Sequence, residues 1–444
     1  MYNNLKKSLL VAAIGSLFVA SAAHATNGYF AHGYGTKNKA LAGGGAALPQ
    51  DAMIAATNPA GMVWVGDRMD LGAAIFSPLR EYTVSGSPPN AGAPTFDLQL
   101  GNVESDSNIF LVPHFARNWM MDSKNSLGVS VYGNGGMNTD YPLVPAVAAP
   151  PGTPGGTYYG GASAGIDLAQ LFINFSSAIK LNDNSSFGAS MIFAYQRFKA
   201  EGLAAFGPFS SAPANLTDIG YDDATGFGAK FGWQGDVTPE MSLAISYQTK
   251  INMSKFDKYA GLFAEQGGFD IPASWTVGLA YDIASAGTAT FDVQSIMFSD
   301  INAVGNGFLP NIFDPAGLGS SGGAGFGFED IMIYKFGYQW PGNSDMTWRV
   351  GFSVNEQPIP NSEVLFNILA PAVIEQHLTG GFTKKMAANS ELTFSVMYAP
   401  SASVTGDNPL SGSPGDGNVT APLDQKIELE MSQWEFEASW AWKY

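Results

Sequence analysis

The last twenty residues, QKIELEMSQWEFEASWAWKY (425–444), alternate so strictly that few folds remain open to them. Trp434, Phe436, Ala438, Trp440, Trp442 and Tyr444 share one face, and Gln433, Glu435, Glu437, Ser439, Ala441 and Lys443 share the other. A period of two means an extended strand with one apolar and one polar side. Three Trp and a terminal Tyr on the apolar side suit a strand whose outer face meets lipid and whose end lies at the membrane interface.

The opposite end, MYNNLKKSLLVAAIGSLFVASAAHA, has the parts of a secretory signal. Lys6 and Lys7 precede an apolar run from Leu9 to Val19, and Ala23-His24-Ala25 offers a cleavage site. Residues 1–25 are therefore set aside as a signal peptide, with the mature chain beginning at Thr26. The chain contains no cysteine, so its stability in an oxidising compartment must come from a large core or a closed sheet. Its formal charge of −17 argues against nucleic acid, whose phosphates require Lys and Arg. Charged residues are only 13% of the chain, against about 25% in ordinary soluble domains. No mature stretch is long and apolar enough for a membrane helix. An exported, apolar chain of this kind can live in a bilayer as a closed β-barrel.

The same alternation recurs along the chain, for instance at 241–248, 346–353 and 391–398. It predicts fourteen strands near 69–84, 106–118, 126–134, 166–180, 186–201, 224–234, 241–252, 273–282, 288–298, 330–340, 346–357, 374–385, 391–401 and 425–444. Six short polar turns alternate with seven long connections, the layout of a transmembrane antiparallel barrel with turns in the periplasm and loops outside. Trp119, Trp233, Trp340, Trp348, Trp440 and Trp442 fall beside short turns or the C-terminus, as an interfacial girdle requires.

Residues 26–67 lack this alternation and are rich in Gly and Ala. Pro49 can open a helix and Asp51 suits its positive end. Pro59 cannot continue that helix and pushes Asn58 toward an extended conformation, so the helix is expected to stop at about Thr57. The segment precedes the first strand and can fold into the lumen as a plug. A disordered periplasmic tail is the alternative, but Tyr29, Phe30, Met53, Ile54, Met62 and Trp64 give it apolar surface to bury. The domain reading is thus signal peptide 1–25, plug 26–67 and barrel 68–444.

The stretch NGYFAHGYGTKNKALAGGGAALPQDAMIAATNPAGM (27–62) resembles the N-terminal hatch of the FadL/TodX family, outer-membrane channels for long-chain fatty acids and other hydrophobic compounds. Asn58-Pro59-Ala60 matches the hatch motif. Similarity continues at LGVSVYGNGGMNTDYP (127–142), YQRFK (195–199) and SYQTKINMSKFDKYAGLF (246–263), and so covers essentially the whole mature chain. The resemblance implies a fourteen-stranded barrel closed by a hatch, with Asn58, Pro59 and Ala60 as its gate. Cargo would be captured among outer loops, pass to an interior site near the N-terminus and leave sideways through the wall. A monomer is expected on the same ground.

Each methylene transferred from water to an apolar site is worth roughly 0.8 kcal/mol, so a ~16-carbon chain resists a wet pore by about 12 kcal/mol. The long loops offer apolar stretches at 202–216, 256–265, 307–319 and 364–374. These suit a capture surface, or a lid in which the loops pack on one another. By resemblance the third and fourth long loops form the first groove, which nominates Phe206, Phe209, Leu262 and Phe263. In the third strand Gly133, Gly135 and Gly136 surround Asn134, and such a cluster marks a bulge or kink. By resemblance this is the lateral exit; otherwise the strand is simply running into its loop. A carboxylate cargo would need lumenal cations. The register turns Lys230 and Arg349 inward, and Lys250 and Lys335 less securely; Arg197 and Lys199 match the family's Tyr-x-Arg-x-Lys run. Alternation around 191–202 is ambiguous, and that face could meet lipopolysaccharide instead. The inward cations are expected to pair chiefly with Glu435, Glu437 and Asp292.

An enzyme is disfavoured: the mature chain has three His, no G-x-S-x-G elbow and no metal-spaced cluster. No catalytic residue, metal or cofactor is assigned. The partners expected are a fatty acid or aromatic hydrocarbon, outer-membrane lipid and lipopolysaccharide, and the barrel assembly machinery, which reads aromatic C-terminal strands. A general porin or a surface adhesin barrel is the competing reading.

Overall fold

The computed structural model describes residues 27–87, 98–142, 163–313, 317–342, 345–411 and 425–444. The proposed signal peptide lies outside the described residues. Fourteen strands form one closed wall. The first seven are β1 (Arg68–Gly86), β2 (Phe110–Met120), β3 (Asn125–Tyr141), β4 (Ala164–Asn182), β5 (Ser185–Glu201), β6 (Asp222–Thr238) and β7 (Met241–Gln248). The rest are β8 (Ser274–Asp282), β9 (Thr288–Ile296), β10 (Ile331–Pro341), β11 (Met346–Asn355), β12 (Gln376–Ala387), β13 (Ser390–Asp407) and β14 (Gln425–Lys443). Each pairs antiparallel with the next, and β1 closes the ring on β14 from Arg68↔Lys443 to Gly86↔Gln425. Two short strands, Gly101–Glu104 and Asn252–Met253, extend the sheet at its upper rim. Closure matters because an open edge would leave unpaired backbone groups in hydrocarbon.

The alternation sorts side chains as a membrane wall demands. Leu71, Ile75 and Leu79 on β1, Ile245 and Tyr247 on β7, and Trp434 and Phe436 on β14 are exposed on the outside. Gln433, Glu435 and Glu437 are buried inside. Higher on β14 the interior changes character, because Ile427, Leu429 and Met431 are the inward residues there. The same change from polar near the short turns to apolar near the loops occurs on β4, from Asn174 and Ser176 to Phe172 and Leu168, and on β13, from Glu391, Thr393 and Ser395 to Met397 and Ala399.

Two local features differ from the sequence-based expectation. Strand β3 continues to Tyr141, so its glycine cluster lies inside the strand and not at its end. The plug helix covers only Ile54–Thr57, not the run from Pro49. Its would-be first turn is diverted: Met53 N donates to Asp51 Oδ1 (3.1 Å) and Ala52 N to Asp70 Oδ2 of the wall (3.0 Å). The helix does end at Thr57, with Asn58 extended at φ −144°, ψ 104° and a 3₁₀ turn starting at Pro59.

Candidate functional site

Residues 27–67 fill the lower lumen and are held there by charge. Lys39 Nζ lies 2.8 Å from both Glu435 Oε1 and Glu437 Oε2 of β14. Lys37 pairs with Glu391 of β13, whose carboxylate also accepts from Arg68 at 2.8 Å. Thr36 Oγ1 donates to Glu437 at 2.7 Å. Burial and the neighbouring Arg68 push the Lys37 ammonium down to about 8. Burial acts on Lys39 in the same direction, but Glu435 and Glu437 outweigh it and raise this ammonium. Lys39, which has two carboxylates where Lys37 shares one with Arg68, is the firmer anchor.

Asn58 fastens this plug to the wall by hydrogen bonds. It is fully buried; its Nδ2 donates to Ala46 O (3.1 Å) and to Trp233 O of β6 (3.3 Å), and its Oδ1 accepts from Ala60 N (3.1 Å). Ser186 of β5 donates to Ala60 O at 2.8 Å. The seat requires two glycines on the wall. A Cβ at Gly232 would stand 1.9 Å from Asn58 Oδ1, and one at Gly188 would stand 2.4 Å from the Pro59 carbonyl carbon.

Above the plug the wall has a window. Strands β2 and β3 pair only from Phe115↔Val131 down to Met120↔Ser126, so Phe110–His114 and the upper half of β3 are unzipped from each other. Pro113, which lacks an N–H, sits in this stretch. The top is closed where Asp106 N donates to Asp140 O at 2.8 Å. On its other side β3 stays paired with β4 through a register shift between Gly133 and Gly135, which makes Asn134 the bulged residue. The edge that β2 abandons is taken from inside by the plug. Phe30 bridges Gly135, Ala31 N donates to Asn134 O (2.9 Å), and Gly136 N donates to Tyr29 O (2.9 Å). Gly135 is needed for that approach, since a Cβ there would meet Tyr29 O at 1.9 Å. The Asn134 side chain accepts from Tyr34 OH (2.7 Å) and donates to Gln170 of β4 (2.9 Å). Outside the window lies a cavity of about 600 Å³, lined by Ile109, Phe110 and Leu111 on one rim and Asn138, Thr139 and Asp140 on the other.

The upper lumen is aromatic. Tyr29 of the plug meets Phe298 (5.0 Å between ring centroids) and Phe269 (6.0 Å). The four loop residues nominated from sequence belong to this layer. Phe206 packs on Phe366 (6.0 Å) and Phe308 (6.3 Å), Phe263 on Phe198 (4.6 Å) and Phe269 (4.8 Å), and Leu262 is buried beside them. Phe209 packs on Phe313 (5.8 Å) and is partly exposed. Among the described residues these loops are packed together rather than opened into a groove.

The cations divide. Lys230 and Arg349 point into the lumen but hold the plug: Lys230 donates to Ala56 O, and Arg349 to Gln50 Oε1 and Thr383 Oγ1 (both 2.8 Å). Lys335 does the same, donating to His32 O (3.1 Å) and Gly43 O (3.3 Å). Of their expected partners, Glu435 and Glu437 are taken by Lys39, and Asp292 accepts from Ala46 N of the plug at 2.8 Å. Lys250 lies past the end of β7 and pairs with Asp270 at 3.2 Å. Arg197 and Lys199 are not lumenal. Phe198 and Gln196 hold the inward positions of β5, so Arg197 stacks outside on Tyr221 (3.8 Å) and Lys199 pairs with Glu201 (3.0 Å). The sequence reading passed over Lys37, Lys39 and Arg68. Two lysines in an otherwise small-residue plug, facing a Glu-x-Glu strand, were the available signal.

The sequence profile of the outer membrane protein transport protein family (OMPP1/FadL/TodX) matches residues 12–426. The chain belongs to this family. It is accordingly an outer-membrane channel of the FadL/TodX type for hydrophobic compounds. Among solved structures, the Pseudomonas putida toluene transporter TodX superposes with a TM-score of 0.65 at 16% identity, over 93% of this chain and 99% of that one. A Pseudomonas aeruginosa FadL homologue gives 0.65 at 14%, over 94% and 99%. The Ralstonia pickettii toluene transporter TbuX gives 0.60 at 17%, over 93% and 99%. These likenesses carry the fold, as identities this low do not carry a substrate. No curated protein sequence matches the chain.

Proposed function

We propose that the protein takes up long-chain fatty acids or similar hydrophobic compounds, without catalysis, by a path that ends sideways in the membrane. Cargo enters the aromatic loop layer through Phe206, Phe209, Leu262 and Phe263, reaches the region of Tyr29 and Phe30, displaces the plug about Asn58-Pro59-Ala60 and leaves between β2 and β3. The observation that carries this reading is the window. Its inner edge is hydrogen-bonded to the plug and one side of its outer rim, Ile109 to Leu111, is apolar, so movement of Tyr29–Ala31 would open a route from lumen to lipid along that side. The apolar upper lumen meets the demand that a long alkyl chain never be left in water. A polar-solute porin has no use for either feature, and an adhesin needs no plug. The cations Lys230 and Arg349 serve the plug in this account, and Arg197 and Lys199, on the outer face, suit lipopolysaccharide. Toluene is the cargo named for two of the related channels, so aromatic hydrocarbons are the second cargo class to test.

Flux into proteoliposomes, compared for oleate, toluene and a small sugar, tests the reading. Oleate or toluene should pass while sugar is excluded; free passage of sugar with no preference for the apolar solutes would make the protein a porin.

A further inference from the structure

One lumenal cation takes no part in holding the plug. Arg80 points inward from the upper part of β1, is 4% exposed, and has no ion-pair partner among the described residues. Its guanidinium donates to two backbone carbonyls, Ser107 O and Asn138 O, while its Nε has no partner. Those two carbonyls lie on opposite sides of the window: Ser107 precedes β2, and Asn138 belongs to the unzipped half of β3. Arg80 therefore ties the two rims together. The guanidinium stands 5.6 Å over the Phe110 ring and lines a small inner cavity with Phe76, Met137 and Met431. Ser107 and Asn138 also line the outer cavity, so the side chain lies between lumen and exit.

A buried guanidinium with no carboxylate in contact is costly, Asp167 acting on Arg80 only from a distance, and carbonyl oxygens are weaker partners for a guanidinium than a carboxylate that accepts two parallel hydrogen bonds. We propose that Arg80 latches the lateral window and is the receptor for the carboxylate head of an anionic amphiphile, whose arrival withdraws the guanidinium from Ser107 and Asn138 and frees the rims. This rests on the lateral-exit reading and adds the residue that would hold the exit shut and read the head of a carboxylate cargo. The level of the site fits. Leu79, Ile109 and Leu111, exposed on the outer side beside it, would meet the alkyl tail, and the head stays behind at the guanidinium. Of the carboxylates around the outer cavity, Glu201 pairs with Lys199, and Asp167 accepts from Tyr221 OH (2.7 Å) through Oδ2 while its Oδ1 has no hydrogen-bond partner. Their charge also discourages the head from moving outward before the tail.

The test compares wild type, Arg80→Met and Arg80→Lys, each checked for an intact barrel by circular dichroism. Binding of carboxyl-¹³C oleate is read by NMR on the full-length protein in nonionic micelles, and flux of oleate, oleyl alcohol and toluene is read in proteoliposomes. In wild type a bound carboxylate signal should stand apart from the micellar one. Arg80→Met should abolish it and lower the oleate-to-oleyl-alcohol flux ratio tenfold or more; Arg80→Lys, a point charge without the fork, should fall between. A bound signal that survives in Arg80→Met overturns the proposal, as does an oleate-to-oleyl-alcohol ratio unchanged in both variants. If Arg80→Met does not fold, the Lys variant decides by the same ratio. Failure of the lateral-exit reading looks different: cross-linking the two rims through Ser107→Cys and Asn138→Cys would leave apolar flux unchanged, while the NMR arm still reports on Arg80.

Discussion

The lower and upper halves of the lumen are made by the same strands in the same register, yet they hold their contents by opposite means. Below, small hatch residues bring Lys37 and Lys39 against Glu391, Glu435 and Glu437. Above, phenylalanines from the loops share one buried cluster with Phe198, Met397 and Leu429 of the wall. Ionic contacts demand geometry and lose their value once one partner leaves, which suits a plug with one docked position and a definite release. Aromatic packing is tolerant of shape and chemically close to the cargo, which suits a layer that a hydrophobic guest can enter. Tyr29 and Phe30 belong to both halves. They are covalently part of the plug, pack in the aromatic layer and pair with the bulged strand beside the window.

The largest effect on this contrast should come from Lys39→Met. It leaves two buried glutamates facing each other, which weakens docking of the plug by about 3–5 kcal/mol. Ionic conductance in planar bilayers should rise while the melting temperature of the barrel stays put; an unchanged conductance would remove the ionic half of the contrast. Phe263→Ala tests the other half. The lost packing is worth about 3 kcal/mol or somewhat more, so the loops should become more protease-sensitive and oleate uptake should fall, without a rise in conductance. Asn58→Ala deletes three hydrogen bonds to hatch and wall, about 1–3 kcal/mol; it should alter transport in a folded barrel, and normal uptake would remove Asn58 from the gate. Gly135→Ala forces Tyr29 O away from β3 at a cost of about 1–3 kcal/mol. Hydrogen exchange at Gly136, whose N–H bonds to Tyr29 O, should accelerate. Smallest of all is Arg197→Ala. An exposed cation–π contact is worth about 0.5–1 kcal/mol, and because Arg197 lies outside the barrel, oleate affinity should not change.

Where one face of a strand meets lipid, sequence alone decided orientation well. Trp434 and Phe436 point out, and Glu435 and Glu437 point in. The same reasoning lost its grip above the apolar belt. There Phe198 faces inward to Phe263 and Tyr259, while Arg197 faces outward to Tyr221, so hydrophobicity no longer distinguishes the two sides. Ile427, Leu429 and Met431 continue the inward register of Gln433 and Glu435, and their change from polar to apolar was the available clue to a two-zone lumen. The glycine cluster at 133–136 signalled a kink. Its pairing with Tyr29–Ala31 was hidden because such a contact joins residues about a hundred positions apart and involves backbone atoms, which leave little mark on side-chain pattern. Arg80 was equally hidden, since its partners are carbonyls.

The central claim is that cargo leaves between β2 and β3, and the absence of native cysteine makes a direct test clean. Ser107→Cys and Asn138→Cys would place one thiol on each side of the window, to be joined by a short reducible cross-linker. Oleate and toluene flux into proteoliposomes should drop at least tenfold in the cross-linked protein and recover on reduction. Flux that is the same before and after cross-linking would mean that the window is not the exit.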